Sequence, residues 1–319
     1  METIITDSPS PYCSHVSRAV GEQIFGTAAR NTRVWLALEY PRPWGAKALE
    51  ESDLPAPVKE RLVHLQAHVP GCRLQFIKQQ ANGAAAPSGI RCFVGLSREQ
   101  RSQLYQIRLQ EYGELLSLDL AALAAGEPVA GAEAVPGPLF LVCTNGRRDR
   151  CCAKFGLPVY QAMAHHAGAA VWQTTHTGGH RFAATLIALP DGVCYGWLTP
   201  EDAVPLVEAH RRGQIYRLDR YRGRSCYGPV VQAADYFLRR ETGLLGLADL
   251  RLVDCQPAPD EPDVWTVRFV TATDGALHQL RLRQELSPFE LALSCGKEEA
   301  EAVPQHRLLA WDVENPRSA

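Results

Sequence analysis

The chain has 319 residues, 46% of them hydrophobic and 21% charged, with a formal net charge of -2. Such a composition describes a globular protein with a large core and room for two domains or three small ones, and it lacks the basic excess that would mark nucleic acid as the main ligand. The first twenty residues hold no apolar run fit for an export signal, and no window approaches the roughly eighteen apolar residues of a membrane span, so the expected setting is the cytoplasm with no membrane partner.

Residues 1–30, with Pro9, Pro11 and several serines, read as an extended N-terminal arm. A first unit, 31–136, opens on the buried strand Val34 to Tyr40, which Pro41, Pro43 and Gly45 break. Helical spacing follows from Leu54 to Val69, then strands at 73–78, 92–96 and 104–109 and a helix from Leu116 to Ala125. An Ala/Gly/Pro loop lies between Gln79 and Gly89, and Gly126 to Pro138 reads as a linker.

A second unit, 137–243, repeats the order. Leu139 to Cys143 is a buried strand, and Leu157 to His166 a helix opened by Pro158. Strands follow at 170–174, 183–189 and 193–198, the last two paired across Pro190-Asp-Gly192. Thr199 and Pro200 then open a helix ending near Arg212, and another runs from Val230 to Arg240, closed by Gly243. Each unit reads β-α-β-β-β-α, the order of a thioredoxin-like fold. The fold class expected is therefore α/β (α+β), with tandem thioredoxin-like units. The remainder, 244–319, is a small antiparallel β-rich appendage with strands at 250–255, 264–271, 277–283, 289–294 and 307–311 and a hairpin turn at Thr273-Asp-Gly275.

Chemistry concentrates in the second unit, in Cys143-Thr-Asn-Gly-Arg-Arg-Asp-Arg-Cys-Cys152 and His176-Thr-Gly-Gly-His180. Two thiols and two imidazoles make a four-ligand set for zinc or for an iron–sulfur cluster, and both pairs follow parallel strands, so they meet at one sheet edge. The Gly-Gly pair allows a tight turn or a close approach to a bulky group. Structural zinc prefers thiols on a tight knuckle, and the wide loop from Cys143 to Cys152 suits a two-iron cluster better. The bland alternative is a chance meeting of polarizable residues. With ten cysteines in a long chain lacking an export signal, the thiols read as reduced, and Cys72, Cys92, Cys194, Cys226, Cys255 and Cys295 as small core fillers. Arg147, Arg148, Arg150 and Arg181 suit either cluster tuning and the docking of an acidic partner, or a plain solvated loop. The run from Arg211 to Arg224 suits an anion or a partner or, as such runs more often do, a solvated face pairing with Glu208 and Asp219. No phosphate loop, dinucleotide fingerprint, metalloprotease helix or nucleophile elbow is present.

The text Leu139-Phe-Leu-Val-Cys-Thr-Asn-Gly with Cys152, His176-Thr-Gly-Gly-His-Arg-Phe-Ala and Leu189-Pro-Asp-Gly-Val-Cys-Tyr-Gly resembles the sucrase/ferredoxin-like family of thioredoxin-like 2Fe–2S ferredoxins. The phrases Gly26-Thr-Ala, Pro43-Trp-Gly, Tyr221-Arg-Gly-Arg-Ser, Gln232-Ala-Ala and Ser294-Cys-Gly share in it, so the likeness runs over most of the chain. Such ferredoxins commonly use two cysteine pairs; here His176 and His180 stand where the second pair would be, as in a bis-histidine branch. The resemblance implies a 2Fe–2S cofactor held by Cys143, Cys152, His176 and His180, with Cys152 favoured over Cys151 by the family spacing. Two ferric ions, two sulfides, two thiolates and two neutral imidazoles sum to zero charge, where four thiolates would leave -2, so the implied potential is higher and, through the ring nitrogens, pH-dependent.

The expectation is thus an electron-transfer or redox-sensing protein rather than a catalyst, working with an unidentified redox partner, its first unit a structural or docking copy. The rivals are a zinc-stabilised binding module on the same four ligands and a thiol oxidoreductase using Cys151 and Cys152, the latter disfavoured by the absence of C-x-x-C spacing.

Overall fold

Cys13–Ala19 forms a short helix, α1, inside what the proline and serine content suggested was an extended arm. The computed structural model describes residues 12–80 and 89–314, so residues 1–11 of that arm, most of the Ala/Gly/Pro loop after Gln79 and the last five residues lie outside the described residues. Strand β1, Val34–Glu39, is buried on both faces, as an apolar run without alternation requires in the middle of a covered sheet. Helix α2 (Ala56–His68) buries Val58, Leu62 and Leu65, one stripe at helical spacing, and is followed by β2 (Cys72–Lys78), β3 (Ile90–Leu96) and β4 (Gln103–Leu109).

The helix expected from Leu116 is broken in two: a 3-10 segment at Tyr112–Ser117 and a short α3 at Ala121–Ala125. Polar residues supply these local turns. Glu111 and Glu114 make a reciprocal capping box, and Asp119 accepts a bond from the Ala121 N–H. The expected linker holds a two-residue strand, β5 (Glu133–Ala134).

The second half repeats the pattern with β6 (Leu139–Cys143), α4 (Arg150–Ala167), β7 (Val171–Thr174), β8 (Leu186–Leu189), β9 (Val193–Tyr195) and α5 (Ala203–Arg211). Strand β10 (Tyr221–Arg224), hidden in a basic stretch, was not expected. Helix α6 (Pro229–Thr242) ends on Gly243 in the left-handed region, as its sequence implied.

In the first half β1 runs parallel to β2 and antiparallel to β3, which pairs with β4; in the second, β6 stands to β7, β8 and β9 in the same relations. The two sets join side by side where β2 meets β7 antiparallel through Ile77↔Thr174 and Lys78↔Gln173. One ten-stranded sheet results, in the order β10-β9-β8-β6-β7-β2-β1-β3-β4-β5. One of its faces is shared: Trp35, Ala37 and Phe93 of the first half pack with Leu141, Trp172 and Ile187 of the second. Each such fully buried large side chain contributes about 1.5–3 kcal/mol by leaving water.

The C-terminal part is a four-stranded antiparallel sheet of β11 (Leu250–Pro257), β12 (Val264–Thr271), β13 (Leu277–Leu291) and β14 (Glu301–Glu314), packed on α6 through Phe237, Leu238, Val267, Phe269 and Leu280. The molecule is α+β with a β-rich C-terminal part, as expected. Two expected strands, 277–283 and 289–294, are one continuous β13 whose register shifts between Leu286 and Glu290, a bulge that takes in Pro288.

Candidate metal centre

Cys143 is the last residue of β6, with its N–H donated to the Thr185 carbonyl at 3.0 Å. The next loop folds on Asn145, whose carbonyl accepts the N–H groups of Arg148 and Asp149 and whose Nδ2 donates to the Gly45 carbonyl at 3.1 Å. Asp149 then caps α4 by accepting the Cys151 N–H at 2.9 Å. This cap starts the helix at Arg150, not at Leu157, and leaves Pro158 inside it at the loss of one backbone bond. The early start places Cys152 in the first turn, one turn before Gly156. A Cβ on Gly156 would stand 2.0 Å from the Cys143 carbonyl oxygen, so only glycine lets α4 cross the strand end closely enough for Cys152 to meet Cys143.

Because β7 is parallel to β6 and pairs Thr174 with Cys143, the histidine segment leaves the sheet at the same edge. Gly178 (φ +93°) and Gly179 (φ +71°) are both left-handed, and a Cβ on Gly179 would lie 2.4 Å from Arg222 Nη2. The Gly-Gly pair thus serves both purposes expected of it. Buried Arg222 donates to the Gly178 carbonyl at 2.9 Å, and Arg73, from β2 of the first half, to the His176 carbonyl at 3.3 Å.

The ligand atoms of Cys143, Cys152 and His176 come within 4.8 Å of one another, with Cys152 Sγ 3.9 Å from His176 Nδ1. His180 lies just outside this trio: its ring centroid is 4.9 Å from that of His176, and its Nε2 is 3.8 Å from Asp149 Oδ2. His180 Nδ1 is buried and has no hydrogen-bond partner among the described residues. A hydrogen bond from Cys152, reinforced by one from His176, holds the Cys143 thiol well below its usual range, and the same bond pushes Cys152 up. Burial keeps His180 below the ordinary histidine range and hence neutral. A thiolate and a neutral imidazole are the forms that bind metal.

The other basic and thiol residues divide sharply. Arg147, Arg148 and Arg150 are exposed around the ligand loop, whereas Arg181 pairs with Glu22 at 2.6 Å. The run from Arg211 to Arg224 is only half the solvated face expected. Arg211 and Arg217 do pair at the surface with Glu208 and Asp219, but Arg220, Arg222 and Arg224 are buried; Arg220 bonds Asp202, and Arg224 donates to the Arg98 and Glu99 carbonyls. Cys151 Sγ faces away from the trio, into a second group formed with Cys13, Cys295 and Asp149, whose ligand atoms also lie within 4.8 Å of one another. Cys295 is therefore not the core filler expected; it sits half-buried between β13 and β14. Nothing local in the sequence signals this group, because Cys13 and Cys295 are 282 positions apart.

Sheet order and donor set together define an α+β protein of repeated thioredoxin order with thiol and imidazole donors at the carboxyl edge of its second half. The chain belongs to the sucrase/ferredoxin-like family, whose profile matches residues 24–223. "Altered inheritance of mitochondria protein 32" of the yeast Meyerozyma guilliermondii is similar to it, 26% identical over 138 residues that cover 39% of this chain and 46% of that protein. The chain thus spans less than half the length of that relative. No solved structure matches. Among the described residues no helix is long and apolar enough to cross a membrane.

Proposed function

We propose that Cys143, Cys152, His176 and His180 hold one 2Fe–2S cluster and that the protein transfers or senses electrons through it. The observation that carries this reading is His180, whose buried Nδ1 has no hydrogen-bond partner among the described residues and which stands beside a compact trio of donors but outside it. Four ligands divided between two irons need a wider shell than four on one ion, and a fourth donor set apart suits the wider shell. Membership of a ferredoxin-like family supports the same choice. When bound, the cluster would supply a one-electron couple. The chain's part is to present thiolate at Cys143, keep His180 neutral, and brace the histidine loop through Arg73 and Arg222. With four protein ligands no coordination position is left open for a substrate, which favours electron transfer over catalysis. The exposed Arg147, Arg148 and Arg150 offer an acidic redox partner a docking edge. All ten cysteines are free thiols, in keeping with a reducing compartment such as the cytoplasm.

A zinc-stabilised module is the second reading, favoured by the 4.8 Å compactness of Cys143, Cys152 and His176. Anaerobic purification followed by iron, sulfide and visible-absorption measurements separates the two. Equal iron and sulfide in a coloured protein is expected, with colour lost in Cys143→Ser and Cys152→Ser and kept in Cys151→Ser. A colourless protein carrying zinc that Cys143→Ser releases would replace the cluster by the zinc reading.

A further inference from the structure

Three sulfurs from distant parts of the chain form a nearly equilateral triangle beside the centre just described. Cys13 Sγ is 3.5 Å from Cys151 Sγ, Cys151 Sγ is 3.2 Å from Cys295 Sγ, and Cys295 Sγ is 3.5 Å from Cys13 Sγ. A fourth donor, Asp149 Oδ1, lies 3.9 Å from Cys13 Sγ. Cysteines that merely fill a core, such as Cys92 at 0% exposure, lie among apolar side chains. A buried carboxylate against three thiols is the opposite environment, costly to an apolar filler and suited to a cation.

The geometry fits one ion closely. Tetrahedral zinc with Zn–S bonds of about 2.3 Å sets its sulfurs about 3.8 Å apart, a few tenths of an ångström wider than the distances here. The backbone is arranged to hold the donors. Asp149 accepts the N–H of Cys151 through Oδ1 and that of Cys295 through Oδ2, each at 2.9 Å, and the Ser294 hydroxyl also donates to Oδ2 at 2.9 Å. The Cys13 N–H points to Cys295 Sγ at 3.4 Å, the kind of bond that stabilises a thiolate.

We propose that Cys13, Cys151, Cys295 and Asp149 form a second, mononuclear metal site for a soft divalent ion of the zinc class. The ion clasps α1, the first turn of α4 and the connection between β13 and β14, the three segments that supply its donors. Because the unfolded chain cannot assemble such a site, the ion's binding energy becomes folding energy for the segments it joins. Asp149 joins the two sites, since its Oδ2 is also 3.8 Å from His180 Nε2.

The test is elemental analysis of the whole chain, purified under reducing conditions without chelator, in wild type, Cys13→Ser, Cys295→Ser, Cys295→His and Cys143→Ser. Wild type should carry one zinc per chain. Cys13→Ser and Cys295→Ser should lower zinc by about tenfold or more while iron stays, Cys295→His should recover it because imidazole is a zinc ligand, and Cys143→Ser should lose iron and keep zinc. Zinc titrated into chelator-stripped protein against a chromophoric competitor should bind in wild type and fail in Cys13→Ser. Three results overturn the site: wild type that neither carries nor takes up zinc, zinc retained in both serine variants, or a disulfide among these cysteines in anaerobically handled protein. Metal lost in Cys13→Ser and Cys295→Ser belongs to this site and metal lost in Cys143→Ser to the first centre, whether iron or zinc, so failure here and failure of the cluster reading are told apart.

Discussion

A thiolate and a neutral imidazole differ by one charge, and that difference is the most direct handle on the first centre. Replacing His176 and His180 together by cysteine should keep a cluster, since thiolate is an acceptable iron ligand, and should lower its reduction potential by making the site more negative. Spectroelectrochemistry on both proteins measures the shift, and an equal potential in a loaded double variant would take the histidines off the iron. Single residues were legible in the sequence where the signal is local. Cys143, Cys152 and His176, from two short motifs after parallel strands, do come together, with His180 outside the trio, and Gly178 and Gly179 take the backbone region that only glycine enters freely. Asp149, Cys13 and Cys295 were not legible as partners, because α1 and the segment after β13 reach α4 only through the tertiary fold.

At the scale of elements, the approach of α4 to β6 decides whether the two thiols meet. Gly156→Ala puts a methyl group against the Cys143 carbonyl, where backbone on both sides must move, so a loss of about 1–3 kcal/mol is expected together with lower iron content in the purified protein. Unchanged iron content and an unchanged denaturation midpoint would show the contact to be slack. Helix α5 carries a different kind of test. His210 is buried, bonded to the Tyr195 hydroxyl at 2.9 Å, and pushed down to about 4 by burial. Folding therefore opposes its protonation. Its contribution is complete above about pH 6.5 and falls away toward pH 4, on the order of 3 kcal/mol in the limit. His306, also lowered to about 4 by burial, acts in the same sense and window. Urea unfolding of His210→Gln between pH 7 and pH 5, measured with its parent in a common Cys143→Ser background, should show a shallower pH slope than the parent, and an equal slope would take His210 out of the pH response. Element types were largely legible from periodicity, but boundaries were less so. Pro158 marked a helix start although Asp149 supplies the true cap, and the strands expected at 277–283 and 289–294 are one that a bulge keeps whole.

Across the whole molecule the proposed cluster should stabilise its surroundings unevenly, because a ligand bound only by the folded state protects what it ties together. Hydrogen exchange on loaded and stripped protein should show protection lost mainly over residues 139–200 and in α1, which is latched to the segment after the histidines by Ser14 bonding the Ala183 carbonyl at 2.6 Å, with Glu22 just beyond the helix pairing with Arg181. Loss spread evenly from residue 30 onward would mean that the halves do not behave as separate units. Their likeness was visible in the repeated element order, but not the way they join, since two residue pairs between β2 and β7 leave no pattern in either strand.

That short seam has a consequence for anyone dividing the chain. A cut in the connection before β6 would strip the neighbour from β2 on one piece and from β7 on the other, leaving two rows of backbone donors and acceptors open to any passing strand. Expressed alone, either piece should self-associate by recreating the missing pairing, so that each half serves the other as a permanent guard against aggregation.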